Sequence, residues 1–226
     1  MDPEIFVWQD PDGVDRRLQQ LGLRKAELWE ALEKAQAQRR TCTLFDPITL
    51  HGNIFWGRLI RFLRETYVPQ GWKWARPELI ELLINPEVGF AITTCSGNQA
   101  TGRHDQDPAS KYPKGAATQK RVRANDPVIP GMEAYAPVPP EDQTYSGMPT
   151  WYLLYYDEAI SDDEGEHTRI WAELSLPKQV GSHGRITGWI ERIILDHRDF
   201  PEPWLAEADE TPDAPTDINV PLERLS

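Results

Sequence analysis

Near residue 70 the hydrophobic residues change their period, and this constrains the fold more than any other feature of the chain. Before it, apolar side chains return every three or four residues: Val14, Leu18 and Leu21, then Leu28, Leu32 and Ala35, then Phe55, Leu59, Phe62, Leu63 and Thr66. After it they alternate or form short β-branched runs. A 3.6-residue period gathers side chains on one face of a helix, and a two-residue period gathers them on one face of a strand. The expected class is therefore α+β: N-terminal helices packed on a mostly antiparallel sheet, with a long polar loop insertion and an acidic extended C-terminal tail.

The turn Asp10-Pro11-Asp12-Gly13 opens the first helix and Gly22 interrupts it. A second helix is expected from Arg24 to Arg39, with Glu27, Glu30, Glu33 and Lys34 facing water. Asp46-Pro47 breaks the chain, and a third helix from Asn53 to Tyr67 sets Arg58, Arg61 and Arg64 on a face of their own. The helical part covers residues 14–67 and the β-rich part residues 72–195. Trp72 and Trp74 flank Lys73 in a strand. The runs Leu79 to Ile84 and Gly89 to Cys95, around Asn85-Pro86-Glu87-Val88, read as a hairpin. Strands follow at Trp151 to Tyr156, Arg169 to Leu176 (Ile170, Ala172, Leu174 and Leu176 on one face) and Ile186 to Leu195. Acidic Asp157 to Glu166 and Pro177 to Gly184 are the expected connections, completing an antiparallel meander.

Residues 97–150 lose all periodicity and read as a polar loop with one short helix near Ala116 to Ala124; loops of that length are usually functional or wrapped over the surface. From residue 201 to 226, Pro, Asp, Glu and Ala dominate, predicting an extended tail beyond a single domain of residues 1–200. Hydrophobic residues make up 39% of the 226 and Pro fills 20 positions, so the core is smaller than the length suggests.

The net charge of −12 opposes wholesale binding to nucleic acid or anionic membrane. It is unevenly spread: residues 1–125 hold 18 Lys+Arg against 15 Asp+Glu, giving +3, and residues 126–226 hold 6 against 21, giving −15. The acidic half either keeps the chain soluble or meets a basic partner. No apolar run is long enough to cross a bilayer, and Met1-Asp2-Pro3-Glu4 does not begin a secretion signal, so no membrane and a cytoplasmic location are expected. Cys42 and Cys95 form no C-x-x-C pair, and His51, His104, His167, His183 and His197 show no ligand spacing; neither disulfide, metal nor cofactor is indicated.

Directly after a predicted strand, Ser96-Gly97-Asn98-Gln99-Ala100-Thr101-Gly102-Arg103-His104 carries two glycines at the spacing of a phosphate-binding loop. Arg103 and His104 stand where Lys and Ser or Thr would contact phosphate and magnesium, and Asp107-Pro108 follows where a helix should supply its amides. The stretch reads instead as a polar pocket rim of Ser96, Asn98, Thr101, Arg103 and His104. Lys111, Tyr112 and Lys114, with Lys120, Arg121 and Arg123 further on, add basic residues interleaved with an aromatic, which suit phosphate or a stacked base; they equally suit neutralisation of the chain's own acidic half. The N-terminal helix pair has Glu27, Glu30 and Glu33 where a DNA-reading helix would expose Arg, Lys, Asn or Gln. Glu173 and Glu191, with Asp196-His197 at a strand end, are the acidic candidates for a metal-dependent site. Salt bridges to Arg192 or Arg169 account for the same residues without chemistry.

Two sets of segments, Ser96-Gly-Asn-Gln-Ala-Thr-Gly with Lys111-Tyr-Pro-Lys-Gly, and Glu173-Leu-Ser-Leu-Pro with Gly188-Trp-Ile-Glu-Arg-Ile-Ile-Leu195, resemble segments of uncharacterised bacterial proteins. The resemblance implies a bacterial source and brings no activity, cofactor or catalytic residue. The leading expectation is a non-enzymatic binding module of a bacterial intracellular assembly, in a setting such as a mobile-element or phage-defence cluster. A protein partner would anchor on whichever of Trp72, Trp74, Trp151 and Trp204 the core leaves free. The alternatives are an enzyme acting on a nucleic acid or nucleotide through residues 96–123, and an acidic decoy of a nucleic-acid-binding partner.

Overall fold

A computed structural model describes residues 5–125, 147–162 and 165–201. A short strand β1 (Phe6–Trp8) precedes helix α1 (Pro11–Gln20), which the Asp10 carboxylate caps by accepting the Gly13 N–H at 2.7 Å. Gly22, at φ 69°, turns the chain after α1; the Leu23 N–H reaches the Leu18 carbonyl and the Gly22 N–H that of Gln19, both at 2.9 Å. This pair of bonds satisfies the last carbonyls of the helix, with Leu23 and Leu18 both buried above them. Helix α2 (Lys25–Arg39) buries Leu28, Trp29, Ala31, Leu32, Ala35 and Gln36. Helix α3 (Leu50–Tyr67) begins three residues before its expected start and buries Phe55, Leu59, Ile60, Leu63 and Tyr67, leaving Phe62 and Thr66 at the margin.

The remaining strands are β2 (Lys73–Ala75), β3 (Leu82–Asn85), β4 (Phe90–Ser96), β5 (Thr150–Asp162), β6 (Gly165–Val180) and β7 (Ile186–Pro201), with helix α4 (Ala116–Arg123) between β4 and β5. They form one seven-stranded sheet in the order β1-β7-β6-β5-β4-β3-β2. Most pairs are antiparallel, as expected, but β4 pairs with β5 in parallel, Ala91 opposite Thr150 and Ser96 opposite Tyr155. Parallel neighbours need a crossover rather than a hairpin. The long insertion supplies it, so it is part of the architecture and not an appendage to a meander. β1 joins the other edge in parallel with residues 191–193 of β7.

Parts of two expected connections are strand. Asp157 to Asp162 continues β5 and pairs with Gly165 to Ile170 of β6, and β6 runs through Pro177 to Val180, with register shifts beside that proline. The acidic stretch is held in strand form by cations from outside it, Arg39 on Asp157 at 2.9 Å and Arg103 on Glu158 at 3.3 Å. Conversely, the strand expected from Leu79 starts only at Leu82, because residues 77–79 form a 3-10 turn in which Glu78 and Leu79 adopt positive φ. Of the expected tail, residues 201–226, Pro201 ends β7 and residues 202–226 lie outside the described residues.

Alternation along β5 divides the molecule into layers. Trp151, Leu153 and Tyr155 point into the larger core beneath α1, α2 and α3, together with Ile170, Ala172, Leu174, Ile193 and Leu195. Tyr152 and Leu154 point the other way, packing with Cys95, Val122 of α4, Ile186 and Trp189 under the crossover. No described helix is long and apolar enough to cross a membrane. Leu153 is wholly buried at the centre of the sheet; Leu153→Ala is expected to cost about 2–5 kcal/mol. A urea titration checks this, and a loss below about 1 kcal/mol would contradict so central a placement.

Candidate functional site

The crossover begins by folding back on itself. The Gly97 N–H donates to the Tyr155 carbonyl at 2.8 Å, and the Asn98 side-chain oxygen accepts from Ala109 at 3.0 Å and Ala100 at 3.3 Å. Thr101 is buried against Gly97, where a Cβ would stand 2.0 Å from the threonine hydroxyl oxygen. Gly102, at φ 74°, lies flat on β6: a Cβ there would sit 3.2 Å from the Ala172 nitrogen. Gly97 is thus required by the close approach of the buried Thr101 side chain, and Gly102 by that of the β6 backbone. No helix follows them to direct amides at a phosphate.

Beneath this loop Glu173 and Arg192 form a buried pair, 0% and 1% exposed. Glu173 Oε1 accepts from Ser175 Oγ at 2.6 Å and Arg192 Nε at 3.1 Å; Oε2 accepts from Arg192 Nη2 at 2.7 Å and the Gly102 N–H at 2.8 Å. Arg192 also donates to the Gln106 carbonyl at 2.7 Å and the Arg103 carbonyl at 2.9 Å. Both carboxylate oxygens are engaged, so Glu173 holds the loop to the sheet. Glu191 projects to the opposite face, where Arg17 Nε lies at 2.5 Å and Trp8 Nε1 at 2.7 Å, tying α1 and β1 to β7. The two acidic candidates therefore do not meet. Arg169 pairs instead with Asp199, at 2.6 Å and 2.7 Å. Among the described residues no group of three His, Cys, Asp or Glu side chains is placed to hold a metal ion.

The polar candidates separate into two ends of the loop. Arg103 and His104 border a cleft of about 710 Å³ with Asp10, Lys25, Trp171 and Asp196. The Arg103 guanidinium is engaged there: it stacks on Trp171 at 4.4 Å, donates to the Gln99 carbonyl at 2.8 Å and reaches Glu158. His197 covers Trp171 as well, with ring centroids 4.4 Å apart. At the other end the Lys114 N–H donates to the Gly184 carbonyl at 2.7 Å and the Lys111 N–H to the Ser96 carbonyl at 2.9 Å. Lys111 and Tyr112 are exposed, and Lys114 lies beside Cys95, whose thiol is pushed up by burial despite that lysine. Lys111, Tyr112 and Lys114 do not line the cleft that Arg103 and His104 border.

A second surface, on the outside of the helical layer, gathers residues that the sequence reading left apart. Trp74, 51% exposed, lies between the guanidinium groups of Arg64 at 4.8 Å and Arg76 at 5.1 Å. Both arginines bind Glu81, at 2.5 Å and 2.9 Å. Burial pushes the Glu81 carboxyl up, but the bonds from Arg64 and Arg76 outweigh it and hold the group below its ordinary range. Trp56, 41% exposed, borders the adjoining cleft. It follows core residue Phe55 by one position, about 100° around the helix, so the spacing that marks Phe55 as buried could have marked Trp56 as outward. Trp72 and Trp151 are consumed by the core. Trp204 lies outside the described residues.

No family model, curated protein or solved structure matches the chain.

Glu173→Gln would leave the Arg192 charge buried without its partner, and a loss of about 3–5 kcal/mol is expected, with faster tryptic cleavage at Arg103. Denaturant titration and limited proteolysis measure the two effects, and an unchanged midpoint would contradict the anchoring role. For Glu81 the sign follows from a folded pKa below the unfolded value of about 4.3. Its contribution is complete above that value and is lost as pH falls through the folded one. The stability difference between the parent and Glu81→Gln should therefore shrink on acidification from neutral pH, as urea midpoints compared across that range will show.

Proposed function

We propose that this protein is a non-enzymatic binding module of a protein assembly. The observation that carries the reading is the loop joining α2 to α3, which leaves Leu44 81%, Phe45 99% and Ile48 93% exposed. The loop is shaped from within: the Asp46 carboxylate accepts the Thr43 N–H at 2.7 Å and its hydroxyl at 3.2 Å. Three large apolar side chains on a short, internally bonded loop are what an interaction surface needs and what a solitary domain rarely leaves in water. Several polar groups of the crossover, by contrast, are engaged within the fold, Asn98 by the Ala109 and Ala100 amides and Arg103 by Gln99, Glu158 and Trp171. An enzyme working on a phosphate-bearing substrate through residues 96–123 has less to rest on, since its basic residues are dispersed and Arg103 is engaged.

The test is affinity purification of the full chain from its native host, beside a Leu44→Ser/Phe45→Ser variant. A stoichiometric protein partner is expected with the parent and its loss with the variant. Thermal stability should barely differ, because exposed substitutions usually change it by less than about 0.5 kcal/mol. Absence of any partner, or undiminished capture by the variant, would contradict the reading.

A further inference from the structure

The groove between α3 and β2 has the chemistry of a docking site for one kind of partner. Trp56 on α3 borders it, and Trp74 on β2 packs against two of its arginines, Arg64 and Arg76; both indoles are about half exposed. The cleft beside Trp56 holds about 390 Å³ and runs over Gly57 and Ile60 toward Arg64, Arg76 and Glu81. Gly57 stands in the middle of an 18-residue helix, where glycine costs about 1 kcal/mol relative to alanine. No heavy atom lies within 4 Å of the Cβ position there, so nothing inside the fold requires a glycine. What it provides is bare helix backbone on the floor of the groove, open to close approach from outside.

Charge sets the identity of the occupant. Three arginines, Arg61, Arg64 and Arg76, line the groove against a single carboxylate, Glu81. Glu65, ion-paired to Arg61 at 2.7 Å, offsets one more charge at the rim and still leaves the face basic. This is a basic patch on a chain of net charge −12. The Arg64 Nε atom is buried with no hydrogen-bond acceptor. The two guanidinium groups stacked on Trp74 keep its indole in place before any partner arrives, which reduces the ordering cost of binding. Tryptophan and arginine are the side chains that most often carry binding energy in protein interfaces. A nucleic acid would meet the same arginines, but its charge at every nucleotide would extend well beyond so small a patch onto the acidic remainder of the molecule, whereas a short segment can confine its carboxylates to the groove.

We propose that this groove docks an acidic polypeptide segment of a partner protein, its carboxylates on Arg61, Arg64 and Arg76 and an aromatic or aliphatic side chain between Trp56 and Trp74. The inference rests on the binding-module reading and names the partner chemistry of one of its surfaces. Its test uses the full chain, immobilised, and a random peptide library displayed on phage. The enriched peptides are expected to be net acidic with at least one Trp, Phe or Leu. A synthetic representative should bind the parent in fluorescence anisotropy and lose at least about tenfold in affinity with Trp74→Ala and with Arg61→Glu, as for loss of one interface hot spot. Circular dichroism melts report whether each variant is folded; Arg61 is exposed on the helix surface, so Arg61→Glu decides the matter if Trp74→Ala disturbs the fold.

Enrichment of neutral or basic peptides, no enrichment, or affinity that survives both changes would overturn the proposal. So would binding of a single-stranded oligonucleotide that follows the same two variants, which would assign the groove to nucleic acid. Displacement of the selected peptide by a synthetic peptide of residues 202–226 would also overturn it, since the occupant would then be the chain's own acidic segment. These outcomes are separate from the capture experiment: a host partner lost through Leu44 and Phe45, with peptides indifferent to Trp74 and Arg61, sinks this inference alone.

Discussion

Removing a carboxylate and a guanidinium from water costs several kcal/mol each, and the Glu173–Arg192 pair tolerates this only because almost every remaining donor and acceptor around it is matched. Ser175 and the Gly102 amide complete the carboxylate, and two loop carbonyls complete the guanidinium. Those last partners are the consequential ones. Through them a crossover that has no hydrophobic periodicity of its own is attached to β6 and β7, and its far end can deliver β5 alongside β4 in parallel. The pair therefore joins two parts of the chain 71 residues apart, Gly102 and Glu173.

The same economy of polar groups explains where an interaction surface can and cannot be. In the crossover, Asn98 closes the loop, Thr101 fills the space above Gly97, and Arg103 stacks on Trp171. These are stabilising duties. The outside of the helical layer has the opposite character. Its arginines stack on an indole that is half in solvent, and the neighbouring loop holds out a phenylalanine that touches almost nothing. Acidic strands on one part of the molecule and an arginine-lined groove on another separate its charges in space, a distribution that would steer a charged partner more than it stabilises the fold.

Three helices, the short helix near residue 116, the hairpin around Asn85 and the alternation of Ile170, Ala172 and Leu174 were all legible in the sequence, because each depends on spacing between near neighbours. The switch of period near residue 70 determined that helices come first and a sheet follows. Three things were decided only by the folded chain. Asp157 to Asp162 is strand and not turn, because it pairs with β6 and because cations from α2 and the crossover meet Asp157 and Glu158. β5 enters parallel to β4, because pairing direction depends on a connection that periodicity does not describe. Glu173 holds a loop to the sheet, because a glutamate on an alternating strand is buried or exposed according to what covers that face. Hydrophobic spacing is local and can be read along the chain, whereas the partners of a charge are brought from far away by the fold, and those partners determine whether it stabilises the structure or remains available for binding.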